Sequence, residues 1–93
     1  MPKNARIFLA EDDPGTRKLV LRVLELDGHE VPLVAFSLEE AKEKVELVAK
    51  ERINVAILDG SLGKGRADDG RVIADILRKK NPSITIIGWS AAY

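Results

Sequence analysis

The chain has 93 residues, with fifteen basic side chains against fifteen acidic ones, a single histidine and no cysteine. That length holds one small domain with one modest core, spanning 1–93. The balanced charge and the lack of a basic run interleaved with aromatics give nucleic acid and anionic membrane nothing to hold. The missing cysteines exclude disulfides and thiolate chemistry, and one histidine excludes a multi-histidine metal site. An oxygen-ligand site for a hard cation stays open. No apolar stretch is long enough to span a bilayer and no signal-peptide core opens the chain, so a cytoplasmic location is expected.

In chain order, residues 5–10 read as a first strand, running through Ile7-Phe8-Leu9-Ala10 into the acidic run Glu11-Asp12-Asp13. Asp13 suits a helix cap and Pro14 a first helical turn. Leu19, Val20, Val23 and Leu24 follow on one side at helical spacing. Gly28 ends this helix as a left-handed cap, and His29 after it is expected in solvent. A second strand runs from Glu30 to Ala35; Pro32 removes a backbone donor and so predicts an edge strand.

Ser37 and Glu40 form a capping box for a second helix, whose inward stripe is Leu38, Ala41, Val45 and Val48. On its exposed side Glu40/Lys44 and Glu46/Lys50 are spaced for pairing. Asn54-Val55-Ala56-Ile57-Leu58 is an unbroken apolar run, as in a strand covered on both faces, and it ends at Asp59. A loop with Gly60, Gly63, Gly65 and Gly70 follows. A third helix starts near Asp68 or Asp69, both cap candidates, and turns Val72, Ile73, Ile76 and Leu77 inward. Asn81-Pro82 stops it, and Lys79 and Lys80 suit its C-terminal dipole. A fourth strand, Ile84 to Trp89, leads to Ser90.

Alternating strands and helices predict an α/β domain, a doubly wound parallel sheet with three helices. Right-handed crossovers and the edge proline favour strand order 2-1-3-4. The first and third strands are then neighbours whose chains leave in opposite directions. That is a switch point, where such folds place their sites. Glu11, Asp12 and Asp59 all fall there, and Ser90 faces the same crevice. Carboxylates so close repel, so a cluster of them points to a bound cation or to a carboxylate that does chemistry.

These residues resemble the receiver domain of bacterial two-component response regulators, a flavodoxin-like (CheY-like) fold. The resemblance rests on Glu11-Asp12-Asp13-Pro14 after a strand, Asp59 at a strand end, Asp69-Gly70 opening a helix, and Ile86-Ile87-Gly88-Trp89-Ser90-Ala91. It implies a phosphoacceptor module, with Asp59 taking a phosphoryl group from the phosphohistidine of a histidine kinase or phosphotransfer protein. It implies Mg²⁺ held by Asp12, Asp59 and the backbone carbonyl of Ser61, with Glu11 reaching it through water. Ser90 would hydrogen-bond the phosphoryl group and move on activation, with the small Ala91 leaving room beside it. Gly15, Thr16 and Leu19 flank the crevice and could meet the phosphodonor, although Leu19 is as good a core candidate.

Two features depart from the family. Receivers continue past the fourth strand with a helix, a fifth strand carrying a lysine that pairs with the phosphoryl group, and a last helix. The 93 residues reach Tyr93, short of those elements. Lys64 is a substitute suggested by position alone. The fourth strand is then expected to form an edge, with Ile84, Ile86 and Trp89 poorly covered, which invites self-association. The loop after Asp59 is also longer than usual through Gly63-Lys64-Gly65-Arg66. The alternative reading is a pseudo-receiver, an interaction or dimerisation module without phosphoryl transfer. An aspartate-based phosphatase ranks last, because the second acid it needs two residues after the nucleophile is Ser61 here. The resemblance implies a signalling domain rather than an enzyme acting on a separate substrate.

Overall fold

The computed structural model describes residues 5–59 and 69–89, with the Trp89 side chain left out. The expectations placed on Ser61, Lys64, Asp68, Ser90, Ala91 and the glycines at 60, 63 and 65 lie outside the described residues. The elements are β1 (Arg6–Ala10), α1 (Pro14–Leu26), β2 (Glu30–Ala35), α2 (Leu38–Lys44) with a 3-10 turn at Val45–Leu47, β3 (Val55–Asp59), α3 (Asp69–Lys80) and β4 (Thr85–Trp89). The strands form one parallel sheet in the order β2-β1-β3-β4, as predicted. β1 to β2 steps one way along the sheet, and β2 to β3 to β4 steps the other. Right-handed crossovers therefore put α1 on one face and α2 and α3 on the opposite face.

The strand period of two sorts side chains between those faces. Phe8, Ala10, Leu33, Ala35, Ala56 and Leu58 join Ala41, Val45, Val48, Ile73, Ala74 and Leu77 in one continuous core under α2 and α3. Ile7 and Leu9 are just as buried but lie outside that cluster, on the α1 side. There the cover is thinner. Val55 and Ile57 are only half-buried, so β3 is not sealed on both faces as its apolar run suggested.

The helix stripes need two corrections. In α1, Val20, Leu21 and Leu24 turn inward to partial burial, while Leu19 and Val23 are 64% and 53% exposed. α1 rests mainly along β2, and a helix on a single neighbour hides only the narrow strip that faces it. In α3 the buried set is Asp69, Gly70, Ile73, Ala74 and Leu77, with Val72 37% exposed and Ile76 half-buried. The inward face is rotated by about one residue, toward the small side chains that let the helix approach β3.

The caps of α1 and α2 fall where the sequence put them. Asp13 Oδ2 accepts from Thr16 N at 2.8 Å, Pro14 opens α1, and Gly28 follows it with φ 84°. Ser37 Oγ accepts from Glu40 N at 3.1 Å, and the Glu40 carboxylate accepts from Phe36 N, one residue before the cap. The predicted pairs on α2 do not form. Lys44 Nζ donates to Val34 O at 2.6 Å, and Glu46 pairs with Lys80 on α3 at 3.2 Å. Long side chains here bridge neighbouring elements, an outcome that helical spacing alone does not reveal. His29 is half-buried rather than solvated, its Nδ1 accepting from Ala5 N at 2.9 Å. In β4 it is Ile87, 48% exposed, that stands uncovered, whereas Ile84 is buried.

Candidate functional site

The β1–β3 register builds the site. Ala10 pairs with Leu58, so the next residue of each strand, Glu11 and Asp59, emerge side by side at the carboxyl edge of the sheet. Asp12 follows Glu11 in the turn before α1. Carboxylate oxygens of Glu11, Asp12 and Asp59 lie within 4.8 Å of one another. Two of these acids are buried, Glu11 3% exposed and Asp59 9%. Glu11 is tied at its backbone to β2, its N–H donating to Ala35 O at 3.0 Å. Its carboxylate accepts from Asp13 N at 3.1 Å, which curls the acidic run back over the strand end.

The electrostatics follow from that crowding. Burial pushes the Glu11 carboxyl from its ordinary 4.5 up to about 7. The Asp13 N–H bond opposes the rise, and a hydrogen bond shared with Asp59, with the charges of Asp59 and Asp12, adds to it. The raised Glu11 carboxyl favours keeping a proton, and a proton there would relieve the repulsion among the three acids. A divalent cation would relieve it in another way. Asp13 plays a different part. Hydrogen bonds from the Thr16 hydroxyl (2.7 Å) and backbone hold its carboxyl below the usual range, with Arg17 adding its charge. It caps the helix and lies outside the triad of converging acids.

Of the residues singled out from sequence, Glu11, Asp12 and Asp59 are brought together. Gly15 and Leu19 are exposed on α1, and Thr16 is half-buried with its hydroxyl on Asp13. Sequence reasoning passed over Arg17. It is half-buried, its Nη1 donates to Glu11 O at 3.1 Å, and its guanidinium carbon lies 4.0 Å from the ring centroid of Phe36. The available signal was the spacing. A residue four after the helix cap faces back toward the strand end that precedes the helix.

No protein-family model matches the chain. No curated protein matches it either. Solved structures do. The response regulator PhyR from Brucella abortus is 26% identical with a TM-score of 0.76, over 92% of this chain and 33% of that one. The signal receiver domain of NarL from Mycobacterium tuberculosis is 25% identical with a TM-score of 0.77, over 99% of this chain and 70% of that one. The isolated receiver domain of RcsB from Salmonella enterica serovar Typhimurium, solved with the phosphomimetic BeF3−, superposes with a TM-score of 0.75 at 20% identity, over 95% of this chain and 62% of that one. The chain spans about a third of the length of the first structures it matches. Strand order and these superpositions assign the chain to the CheY-like receiver fold of response regulators.

Proposed function

We propose that this domain is the phosphoacceptor receiver module of a two-component phosphorelay, with Asp59 taking a phosphoryl group from a phosphohistidine in a Mg²⁺-dependent reaction. The observation that carries the reading is the convergence of three carboxylates from two strand ends at the switch point of a receiver fold. The donor set suits the cation. Mg²⁺ favours one or two carboxylates, carbonyl oxygen and retained water. Asp12 and Asp59 would hold it together with the Ser61 carbonyl, and Glu11 would reach it through water. When bound, it would cancel the charge that builds between an anionic nucleophile and an anionic phosphoryl group.

The remaining chemistry belongs to the chain. An Asp59 carboxylate oxygen forms the new P–O bond while the donor's P–N bond breaks. The electron pair leaves on the imidazole nitrogen, which takes up a proton. Asp59 ends the strand beside Glu11 and is nine-tenths buried, so the nucleophile is held by the sheet and only its tip is offered. In this reading Ser90 hydrogen-bonds the phosphoryl oxygen, Ala91 leaves room for it, and Lys64 supplies positive charge. Gly15, Thr16 and Leu19 form the rim that a histidine kinase or phosphotransfer protein approaches, in the cytoplasm.

Incubation with Mg²⁺ and acetyl phosphate tests this. The chain should gain one phosphoryl mass, Asp59→Asn and Asp12→Ala should lose the gain, and Lys64→Ala should slow it. Unchanged kinetics in Lys64→Ala would remove that residue's role. No Asp59-dependent gain would leave the second reading, a pseudo-receiver that binds protein without phosphoryl transfer. A particular observation favours that alternative. Leu19, Val23 and Leu26 are exposed along α1, and a groove of about 320 Å³ opens between α3 and β4 over Leu58, Ala74, Ile86 and Gly88. A dimer indifferent to both Mg²⁺ and phosphodonor would select it.

A further inference from the structure

Glu11 is gripped at both ends of its backbone. Its N–H donates to Ala35 O at 3.0 Å, the last residue of β2, and its C=O accepts from Arg17 Nη1 at 3.1 Å. The Arg17 guanidinium in turn lies on the ring of Phe36, at 4.0 Å, the residue that follows Ala35. The contacts close a ring: Glu11, Arg17, Phe36, Ala35 and back to Glu11. It joins the β1–α1 turn to the β2–α2 turn. We infer that Arg17 is a positioning residue for the acidic cluster, fixing the Glu11 carbonyl and with it the turn from which Glu11 and Asp12 reach Asp59.

Arginine suits the task for a physical reason. A guanidinium is flat and carries several donors in its plane, so it stacks on an aromatic face and donates sideways at the same time. A lysine ammonium keeps the charge but cannot do both in one geometry. The arm of the helix is itself fixed. Arg17 N donates to Asp13 O at 2.9 Å in the first turn of α1, and Asp13 is the cap. Arg17 therefore reaches the strand end from a rigid base, and Phe36, half in solvent, is retained as its platform.

A merely electrostatic role makes the opposite prediction. A positive charge beside three carboxylates repels an incoming cation, so deleting it would tighten cation binding. A positioning role means that deleting it loosens the turn and weakens binding. The inference deepens the proposed function, and its cation arm rests on that reading. Its other arm does not.

The experiment uses the whole chain with Arg17→Met, Arg17→Lys, Phe36→Leu and the double variant Arg17→Met/Phe36→Leu. Amide hydrogen exchange is followed at Glu11 and Asp13, with β3 as internal reference, and Mg²⁺ is titrated by calorimetry. Arg17→Met should speed exchange severalfold at Glu11 and Asp13 and leave β3 unchanged. Its Mg²⁺ affinity should fall severalfold. Arg17→Lys should recover only part, Phe36→Leu should reproduce part, and the double variant should be no worse than Arg17→Met alone. Unchanged exchange, or tighter Mg²⁺ binding in Arg17→Met, overturns the inference. Should the wild-type chain bind no Mg²⁺, the proposed function fails while the exchange arm still decides the role of Arg17. If Arg17→Met does not fold, Arg17→Lys and Phe36→Leu carry the same comparison.

Discussion

On the face shared by α2 and α3, Phe8, Ala56, Ile73 and Leu77 are fully buried; on the α1 side Ile7 and Leu9 are buried too, but Ile87 of β4 and Leu19, Val23 and Leu26 of α1 stand about half or more in solvent. The same sheet supplies both faces, and both have an apolar helix at the correct spacing. They differ in how many elements share the cover. Two helices and a 3-10 turn interlock over Phe8, while α1 lies alone along β2. Stability is therefore concentrated on one face. The other remains available for contact, and the acidic site sits at the sheet end where the two meet.

The comparison can be broken most sharply at Phe8. Phe8→Ala should cost about 3–5 kcal/mol, read from urea unfolding. That is much of the stability of a small domain. A loss near 1 kcal/mol would mean that the α2–α3 face is looser than its burial implies.

A smaller effect belongs to the sheet end, where Glu11 is pushed from 4.5 up to about 7. The folded chain holds that proton more tightly than the unfolded chain. Between those two values the folded state binds more protons, and stability must fall as pH rises through the window. The fall is on the order of 1–3 kcal/mol. Mg²⁺ should reverse it at pH 7.5, and Glu11→Gln should flatten the slope. Thermal melts from pH 4.5 to 7.5, with and without Mg²⁺, check all three. Asp13 slopes the opposite way, since its lowered carboxyl adds stability that disappears as pH drops through the acid range.

The smallest effect sharpens the comparison from the open side. Leu26, 76% exposed, should tolerate Ala with a change within about 0.5 kcal/mol. A larger loss in the same urea titration would reveal cover over α1 that the fold does not show.

Much of the architecture was legible because it is written locally. Asp13-Pro14, Ser37 with Glu40, Gly28 and Pro32 each carry their own geometric constraint, so the helix starts, the helix end and the edge strand could be read one residue at a time. The acidic cluster was legible through topology, since strand order alone makes Glu11 and Asp59 neighbours. What resisted were facts set by distance. Leu19 and Val23 satisfy a helical stripe, yet burial depends on what packs on them. Lys44 and Glu46 had helical partners in reach, but a carbonyl of β2 and Lys80 of α3 took them instead. His29 looked like a solvent residue after a cap and instead latches the start of β1. Arg17 drew no reading at all, because its partners, the Glu11 carbonyl and the Phe36 ring, meet it only in the folded chain.

The Ala10–Leu58 register makes the acidic site tolerant of substitution and intolerant of insertion. Because the backbone ladder sets Glu11 against Asp59, substitutions along β1 and β3 that keep the ladder keep that pairing. Solved structures only 18–26% identical to this chain superpose on it at TM-scores of 0.74 or more. The site depends on a count of peptide units along two adjacent strands, and inserting a single residue into one of them would part Glu11 from Asp59 where substitution elsewhere on the strands would not.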